Sequence, residues 1–218
     1  YRDESRKEVC SVLYTLRQQM SKGSGKANLA LSDFIGSKDK KIQDYIGAFA
    51  VTAGIDMEKK SSEFKKNNDD YGSIMLSAIC DRFAEAFAER LHERVRKEFW
   101  GYAEDEKLNS QDLISEQYQG IRPAPGYPAC PDHSEKSSLF QLLDVEKNTE
   151  IKLTENFAMW PAASICGYYF SHPKSSYFGV GKLNKDQVSD YATRKQKSLK
   201  YVERWLQPNL NYDPKARG

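Results

Sequence analysis

The stretch 121–133 constrains the fold of this chain more than any other, because it is dense in proline. Four of the eight prolines in the 218-residue sequence lie between Pro123 and Pro131. Each proline fixes φ at about −65° and removes a backbone donor, and the residue before it is driven toward extended geometry. The sequence therefore predicts a stiff, extended loop here, through which no helix or central strand runs.

Three residues of this loop have side chains or backbones suited to binding. Arg122 offers a planar guanidinium for a carboxylate or a phosphate, and Tyr127 offers a flat face with a polar tip. Gly126 allows the backbone to approach another surface closely. Two interpretations stay open on these residues alone: a preorganised binding wall, or a rigid crossover between two halves of a fold.

Charge and cysteine usage exclude several classes of function. The 33 Lys and Arg residues nearly balance 31 Asp and Glu residues, so there is no electrostatic case for a nucleic-acid partner. No apolar run is long enough to span a bilayer, and no membrane partner is expected. The four scattered cysteines include no CxxC pair, which is typical of free thiols in the cytoplasm. We expect a single domain over 1–218, with 209–218 as a loose C-terminal tail.

The most strongly predicted element is one long central helix over 73–102. Apolar residues recur at steps of three and four from Ile79 to Phe99, where the sequence has no Gly or Pro, and we expect this stripe to pack on a sheet. Asp69 or Asp70 can cap the helix. The stripe consists of Ile79, Phe83, Phe87, Leu91, Val95 and Phe99.

Shorter helices and strands complete the prediction. Helical spacing is found in 3–20, 57–66, 111–117, 134–143, 184–195 and 199–206. Strand patterns occupy 28–35, 45–53, 151–156, 163–171 and 176–183, the last two forming an aromatic hairpin. Strands that pair locally, with helices clustered between them, predict an α+β fold: a twisted antiparallel sheet with helices packed around it.

The motif Arg-Pro-Ala-Pro-Gly-Tyr-Pro at 122–128, followed by Pro-Asp-His at 131–133, resembles the signature loop of one known family. That family is the C-terminal activation domain of cobalamin-dependent methionine synthase. Segments 31–35, 44–54, 81–89, 91–96 and 177–182 resemble the same family, and the match runs from about residue 9 to about residue 213. The resemblance implies an S-adenosylmethionine-binding reactivation module of the methyltransferase, which supports reductive methylation of cob(II)alamin to methylcobalamin.

The resemblance also implies a ligand site. Its predicted S-adenosylmethionine contacts are Arg122, Ala124, Gly126, Tyr127, Tyr177 and Phe178. Glu116 joins them on chemical grounds, because a sulfonium amino acid needs a carboxylate for its ammonium and a cation for its carboxylate. Two alternatives stay open: Glu116 and Arg122 form only an intramolecular salt bridge, and Tyr177 is a core residue of a strand.

A second predicted surface lies on the long helix. Asp81, Glu85 and His92 project away from the Phe stripe, and small residues such as Ala88 leave room for another body to approach. By resemblance, Asp81 and Glu85 are carboxylates that dock the cobalamin module. The alternative is an ordinary solvated helix face.

The remaining expectations follow from the resemblance. Cobalamin and zinc are bound by other modules of the full enzyme, and the partners are the cobalamin module and flavodoxin or an equivalent reductase. No catalytic side chain and no metal site are predicted, since Cys130 and His133 lack a second pair of ligands. The resemblance also implies that the family's domain extends further toward the N-terminus, so the S-adenosylmethionine site in this fragment is expected to be incomplete. The modules for zinc, folate, homocysteine and cobalamin are expected to lie outside this chain, and the fragment is therefore not expected to turn over alone. The alternative function is a non-catalytic docking module that uses the proline-rich loop and the acidic helix face.

Overall fold

The computed structural model describes residues 1–40 and 42–215, which form two compact units. The first unit comprises Tyr1–Tyr45, Pro123–Leu142 and the chain from Ser176 onward. The second comprises Ile46–Arg122 and Leu143–Ser175. The expectation of one domain over 1–218 stays a prediction.

Two antiparallel strand pairs lie in the second unit. The strands are β1 (Gly47–Thr52), β2 (Lys152–Leu153), β3 (Met159–Trp160) and β4 (Ser164–Tyr169). β1 pairs with β4, and β2 pairs with β3. Just beyond β4, Ile121 and Phe170 exchange two backbone hydrogen bonds of 3.0 Å, which places Arg122 beside the end of that strand.

The helices are distributed over both units. The second unit contains α1 (Met57–Lys66), α2 (Asp70–Arg94) and α3 (Ser110–Ile114), and α2 continues as a π-helix over Val95–Phe99. The first unit contains α4 (Glu135–Leu142), and the second contains α5 (Val145–Thr149). The first unit ends with α6 (Lys185–Lys195) and α7 (Leu199–Leu206), and its 3-10 turns are Leu31–Phe34, Lys38–Lys40 and Gln207–Asn209.

The α+β prediction and its long central helix are confirmed. α2 has 25 residues and is capped as expected, because the Asp69 carboxylate accepts a 2.7 Å hydrogen bond from the Gly72 amide. Within the described parts of the chain, no helix combines the length and the apolar character needed to cross a bilayer.

The prediction that the whole apolar stripe of the long helix packs on the sheet was wrong: Val95 is buried in the core with β1 and β4 and Leu91 packs against it, but the phenylalanines of the stripe are exposed. Phe83 and Phe87 are 64% and 51% exposed, whereas Ala84 and Ala88 are each 1% exposed. Ala88 packs with residues of β1 and β4, including Phe49. A helix that carries alanine at its contact face can approach a sheet closely, and this close approach leaves the larger aromatic residues outside.

Three other local predictions were wrong for a common reason. No helix forms over 3–20, a 3-10 turn replaces the strand at 28–35, and no strand forms at 176–183. In each case backbone groups bond to distant parts of the first unit: the Gln18 amide donates to Leu29 O at 2.9 Å, and the Leu183 amide donates to Asn209 O at 2.8 Å. Tertiary bonding has overridden a local pattern.

The first unit has a core built around α6 and α7. Buried residues of both helices meet Leu16, Val180 and Leu183 there. Leu210 also belongs to this core, and the Asn211 amide donates to Leu183 O at 2.9 Å. The start of the predicted loose tail is therefore attached to the unit, whereas its last residues, 216–218, lie outside the described residues.

The packing of α2 predicts opposite effects for neighbouring substitutions. Ala88→Leu should lower the free energy of unfolding by about 1–3 kcal/mol, because added methylene groups meet a close-packed core. Phe87→Ala should change it by less than about 0.5 kcal/mol, because the ring is half exposed. Urea unfolding of both variants checks this. A larger cost for Phe87→Ala than for Ala88→Leu would show that the helix face is assigned wrongly.

Candidate functional site

Arg122 ends the second unit and is held there by three side chains. Its Nη2 donates to Glu89 Oε2 at 2.7 Å, and its Nη1 donates to the Tyr118 hydroxyl at 2.9 Å and to His92 Nδ1 at 3.2 Å. The carboxylate that pairs with Arg122 is therefore that of Glu89. Glu116 is exposed just beyond α3, and its role toward a ligand stays a prediction.

His92 is completely buried and uncharged. Burial, together with the neighbouring positive charges of Arg96 and Arg122, lowers the pKa of the imidazole from 6.5 to about 2. Arginine can only donate hydrogen bonds, so His92 Nδ1 must be the acceptor and Nε2 carries the proton. Nε2 faces the Tyr102 hydroxyl at 3.4 Å. The imidazole stacks on Tyr169, with ring centroids 5.1 Å apart.

The residues around His92 are themselves fixed. Arg96 is fully buried and makes a two-pronged contact with the Glu106 carboxylate, at 2.8 Å from Nε and 2.7 Å from Nη2. The Arg96 guanidinium also lies 4.3 Å from the centroid of the Tyr118 ring. Paired in this way, a buried arginine costs much less than an isolated buried charge.

From Pro123 onward the proline-rich loop lies in the first unit, and its position 126 suits only glycine. Gly126 has φ +95°, and its amide donates to Cys130 O at 2.7 Å. A Cβ at this position would lie 2.4 Å from His133 Cε1. The turn is closed by a 2.9 Å hydrogen bond from the Cys130 amide to Tyr127 O. No helix and no strand runs through 121–133, as predicted, but the loop turns back on itself here instead of running extended.

Within the first unit the structure brings the loop next to the segment that carries the predicted aromatic contacts. The Val180 amide donates to Pro128 O at 2.8 Å. Tyr127 and Tyr177 are 63% and 42% exposed, so the core alternative for Tyr177 was wrong. Phe178 is partly buried and packs against the core around α6 and α7.

The far end of the loop is anchored by buried charges. Asp132 is fully buried and accepts from Ser134 N at 2.8 Å and from the Tyr191 hydroxyl at 3.0 Å. The Lys195 ammonium contacts the Asp132 carboxylate and lies 2.7 Å from Glu135 Oε1. Nearby carboxylates raise the pKa of Lys195 although burial opposes them, while burial raises the pKa of Glu135. This cluster ties the loop to α6.

The two predicted docking carboxylates are exposed on α2. Asp81 and Glu85 are four residues apart, one helical turn, and therefore neighbours on the surface. His92, which was predicted to share their face, is instead buried against Tyr169. The docking role of Asp81 and Glu85 stays a prediction.

In the part of the chain that the structure describes, no group of three or more His, Cys, Asp or Glu residues is arranged to hold a metal ion. All four cysteines lie among the described residues and none forms a disulfide bond; Cys130 and Cys166 are buried.

Sequence reasoning missed the residues that hold Arg122. Glu89 and His92 are three apart on α2, and Tyr118 and Arg122 are four apart, but Arg122 is 30 or more positions along the chain from both of the α2 residues. The sequence contains a weak signal for these partners, because Glu89 and His92 are polar residues at helical spacing beside Ala88, on the face of α2 that packs inward. This signal could not be recognised as long as the Phe stripe was taken as the buried face.

Comparison with known proteins places this chain in a family. The model of the vitamin B12 dependent methionine synthase activation domain matches residues 1–196, so the chain belongs to that family. The chain is also similar to the crystal structure of the MetH reactivation domain bound to AdoHcy (S-adenosylhomocysteine), with a TM-score of 0.95 and 57% sequence identity. The match covers 98% of this chain and 65% of that one.

These findings confirm the family resemblance and the activation-domain assignment, and they do not favour the docking-module alternative. This chain is a domain of the cobalamin-dependent methionine synthase family, which is a family of methyltransferases.

The state of His92 predicts a pH dependence of stability. The imidazole stays neutral in the folded chain, but in the unfolded chain it takes up a proton as the pH falls through 6.5. The unfolded state then binds more protons, so stability falls toward acid pH. From pH 6.5 to about pH 5, this one group should lower the free energy of unfolding by about 1.5 kcal/mol.

Urea unfolding at the two pH values, on wild type and on His92→Gln, isolates this contribution. The variant should lose about that much less stability over the same interval. An identical pH dependence in both proteins would mean that His92 is charged in the folded state.

Proposed function

We propose that this chain binds S-adenosylmethionine and supports the reductive methylation of cob(II)alamin to methylcobalamin within a methionine synthase (5-methyltetrahydrofolate–homocysteine methyltransferase). The observation that carries the proposal is the 57% identity, over 98% of this chain, with a reactivation domain bound to AdoHcy. AdoHcy is what S-adenosylmethionine becomes when it gives up its methyl group. A domain that holds this product has a site of the right shape for the donor.

Arg122 is proposed to bind the carboxylate of the methionine moiety. Its side chain is only 19% exposed, so a charge-assisted hydrogen bond there is less screened by water than one at an open surface. Glu116 is proposed to accept from the ammonium group of the same ligand.

The other proposed contacts are backbone groups of the proline-rich loop and two aromatic side chains. The backbone of Ala124, Gly126 and Tyr127 offers hydrogen-bonding groups in a loop that is already rigid, which reduces the entropy lost on binding. Tyr177, with Phe178 beside it, is proposed to face the sulfonium, since a cation above an aromatic ring is attracted electrostatically. The exposure of Tyr177 supports this role.

The chain contributes orientation rather than acid–base chemistry, and we assign it no catalytic side chain. Cobalamin, held by its own module, would supply a cobalt centre able to accept the methyl group once flavodoxin or an equivalent reductase had delivered one electron, and S-adenosylmethionine would be left as AdoHcy. The protein holds the methyl donor in line with that acceptor. Zinc is proposed to belong to another module, and a cytoplasmic location is proposed because the four cysteines are not joined in disulfide bonds.

Asp81 and Glu85 are proposed to dock the cobalamin module. Both are exposed and adjacent on a rigid helix, which presents two carboxylates to an approaching partner. Their contribution is expected mainly in the rate and orientation of docking.

Calorimetric titration with S-adenosylmethionine tests the binding site. Wild type should bind saturably, and Arg122→Ala should weaken binding by about 1.5–3 kcal/mol, the contribution of a charged hydrogen bond. Arg82→Ala, which removes an exposed arginine of α2, should bind like wild type. The measurement is made on the full polypeptide that contains this chain. Absence of binding there would reject the S-adenosylmethionine role and leave the docking module as the better function.

The docking role has a separate test in the same polypeptide. Asp81→Asn combined with Glu85→Gln should slow reductive methylation about tenfold at low salt, because rim charges steer association, and should leave S-adenosylmethionine affinity unchanged. Glu58→Gln combined with Glu155→Gln removes the same charge from exposed positions and serves as the control. Equal rates for the two double variants would remove Asp81 and Glu85 from the docking surface.

A further inference from the structure

We propose that Tyr118 and His92 are positioning residues that hold the Arg122 guanidinium ready for the carboxylate of S-adenosylmethionine. The inference rests on the proposed function of Arg122 and extends it to groups that do not touch the ligand. It is carried by the geometry of the three acceptors around one guanidinium.

The acceptors fix the plane of the guanidinium. A guanidinium has five N–H donors in a rigid fork. Nη1 directs its two hydrogens at the Tyr118 hydroxyl and at His92 Nδ1, at 2.9 and 3.2 Å, and Nη2 directs one at Glu89 Oε2, at 2.7 Å. Contacts on two nitrogens prevent rotation about the terminal bonds of the side chain.

The two acceptors on Nη1 are neutral, so they can orient the guanidinium without neutralising its charge. Glu89 already balances the charge of Arg122, so a further negative group here would compete with an incoming carboxylate. A tyrosine hydroxyl and an imidazole that does not protonate can direct the guanidinium without such competition. The low pKa of His92 keeps it in the accepting form.

The acceptors are themselves immobile. The Tyr118 ring is buried between its contact with the Arg96 guanidinium and an edge-to-face contact with His92, whose centroid lies 5.0 Å away. His92 is stacked on Tyr169. A long arginine side chain loses considerable rotamer freedom when it binds a ligand, and a scaffold of this kind imposes that loss before the ligand arrives.

The test compares two ligands that differ only in the recognised group. Calorimetry on the full polypeptide is done with S-adenosylmethionine and with decarboxylated S-adenosylmethionine. Tyr118→Phe keeps the ring and the net charge but removes the hydroxyl. It should weaken S-adenosylmethionine binding by about 3- to 10-fold, the value of one hydrogen bond, and change the affinity for the decarboxylated ligand by less than about 2-fold.

Tyr169→Phe is the matched control. It removes a hydroxyl from another tyrosine that contacts His92, since the Tyr169 ring stacks on the imidazole. The Tyr169 hydroxyl is buried and has no hydrogen-bond partner among the described residues, so its removal breaks no hydrogen bond to Arg122. It should leave the ratio of the two affinities as in wild type.

The possible results of this experiment separate the positioning role of Tyr118 from the proposed function. If Tyr118→Phe weakens both ligands equally, its role is structural, and the inference is overturned. If it changes neither while Arg122→Ala still weakens binding, the proposed function stands and the positioning role is lost. If wild type binds the two ligands equally, Arg122 does not read the carboxylate and the positioning role fails, although S-adenosylmethionine binding stands. If wild type binds neither ligand, both proposals fail.

Discussion

The close contact between α2 and the strands β1 and β4 is the constraint on which the second unit depends. Ala84 and Ala88 allow the helix backbone to come near the sheet, and larger residues there would hold it off. One turn further along the helix, the same approach buries His92. An imidazole enclosed between two arginines cannot take up a proton, and it therefore becomes a permanent acceptor. The chemical state of a polar group at the site thus follows from the size of two alanines.

Local sequence patterns correctly predicted the elements that are stabilised by local interactions. They failed where contacts with distant parts of the chain determine the secondary structure. α2 was predicted correctly because its apolar residues recur over many turns, but the buried face was not, since alanine gives a weak hydrophobic signal. The stretch 3–20 has helical spacing yet forms no helix, because its backbone bonds to Leu29 and Val180. The aromatic pattern at 176–183 suited a strand, but Leu183 bonds to Asn209 instead.

The residues of the candidate site also fall into those that local sequence could predict and those that it could not. The rigid loop and the aromatic segment beside it could be predicted, since proline and glycine act on their own backbones and the family motif covers both. The partners of Arg122 could not be predicted. Glu116 is near in sequence, whereas Glu89 is 33 residues away and reaches the guanidinium only through the fold. Sequence proximity identifies candidates for an ion pair, and the fold chooses among them.

The buried cluster of Asp132, Glu135 and Lys195 has a consequence for the order in which the chain acquires its structure during synthesis. The two carboxylates precede their ammonium partner by 60 or more residues along the chain. While a ribosome is still adding residues before Lys195, the carboxylates have no countercharge and favour water over the interior. The proline-rich loop, although the stiffest stretch of the sequence, is therefore among the last parts of its unit to settle on the growing protein.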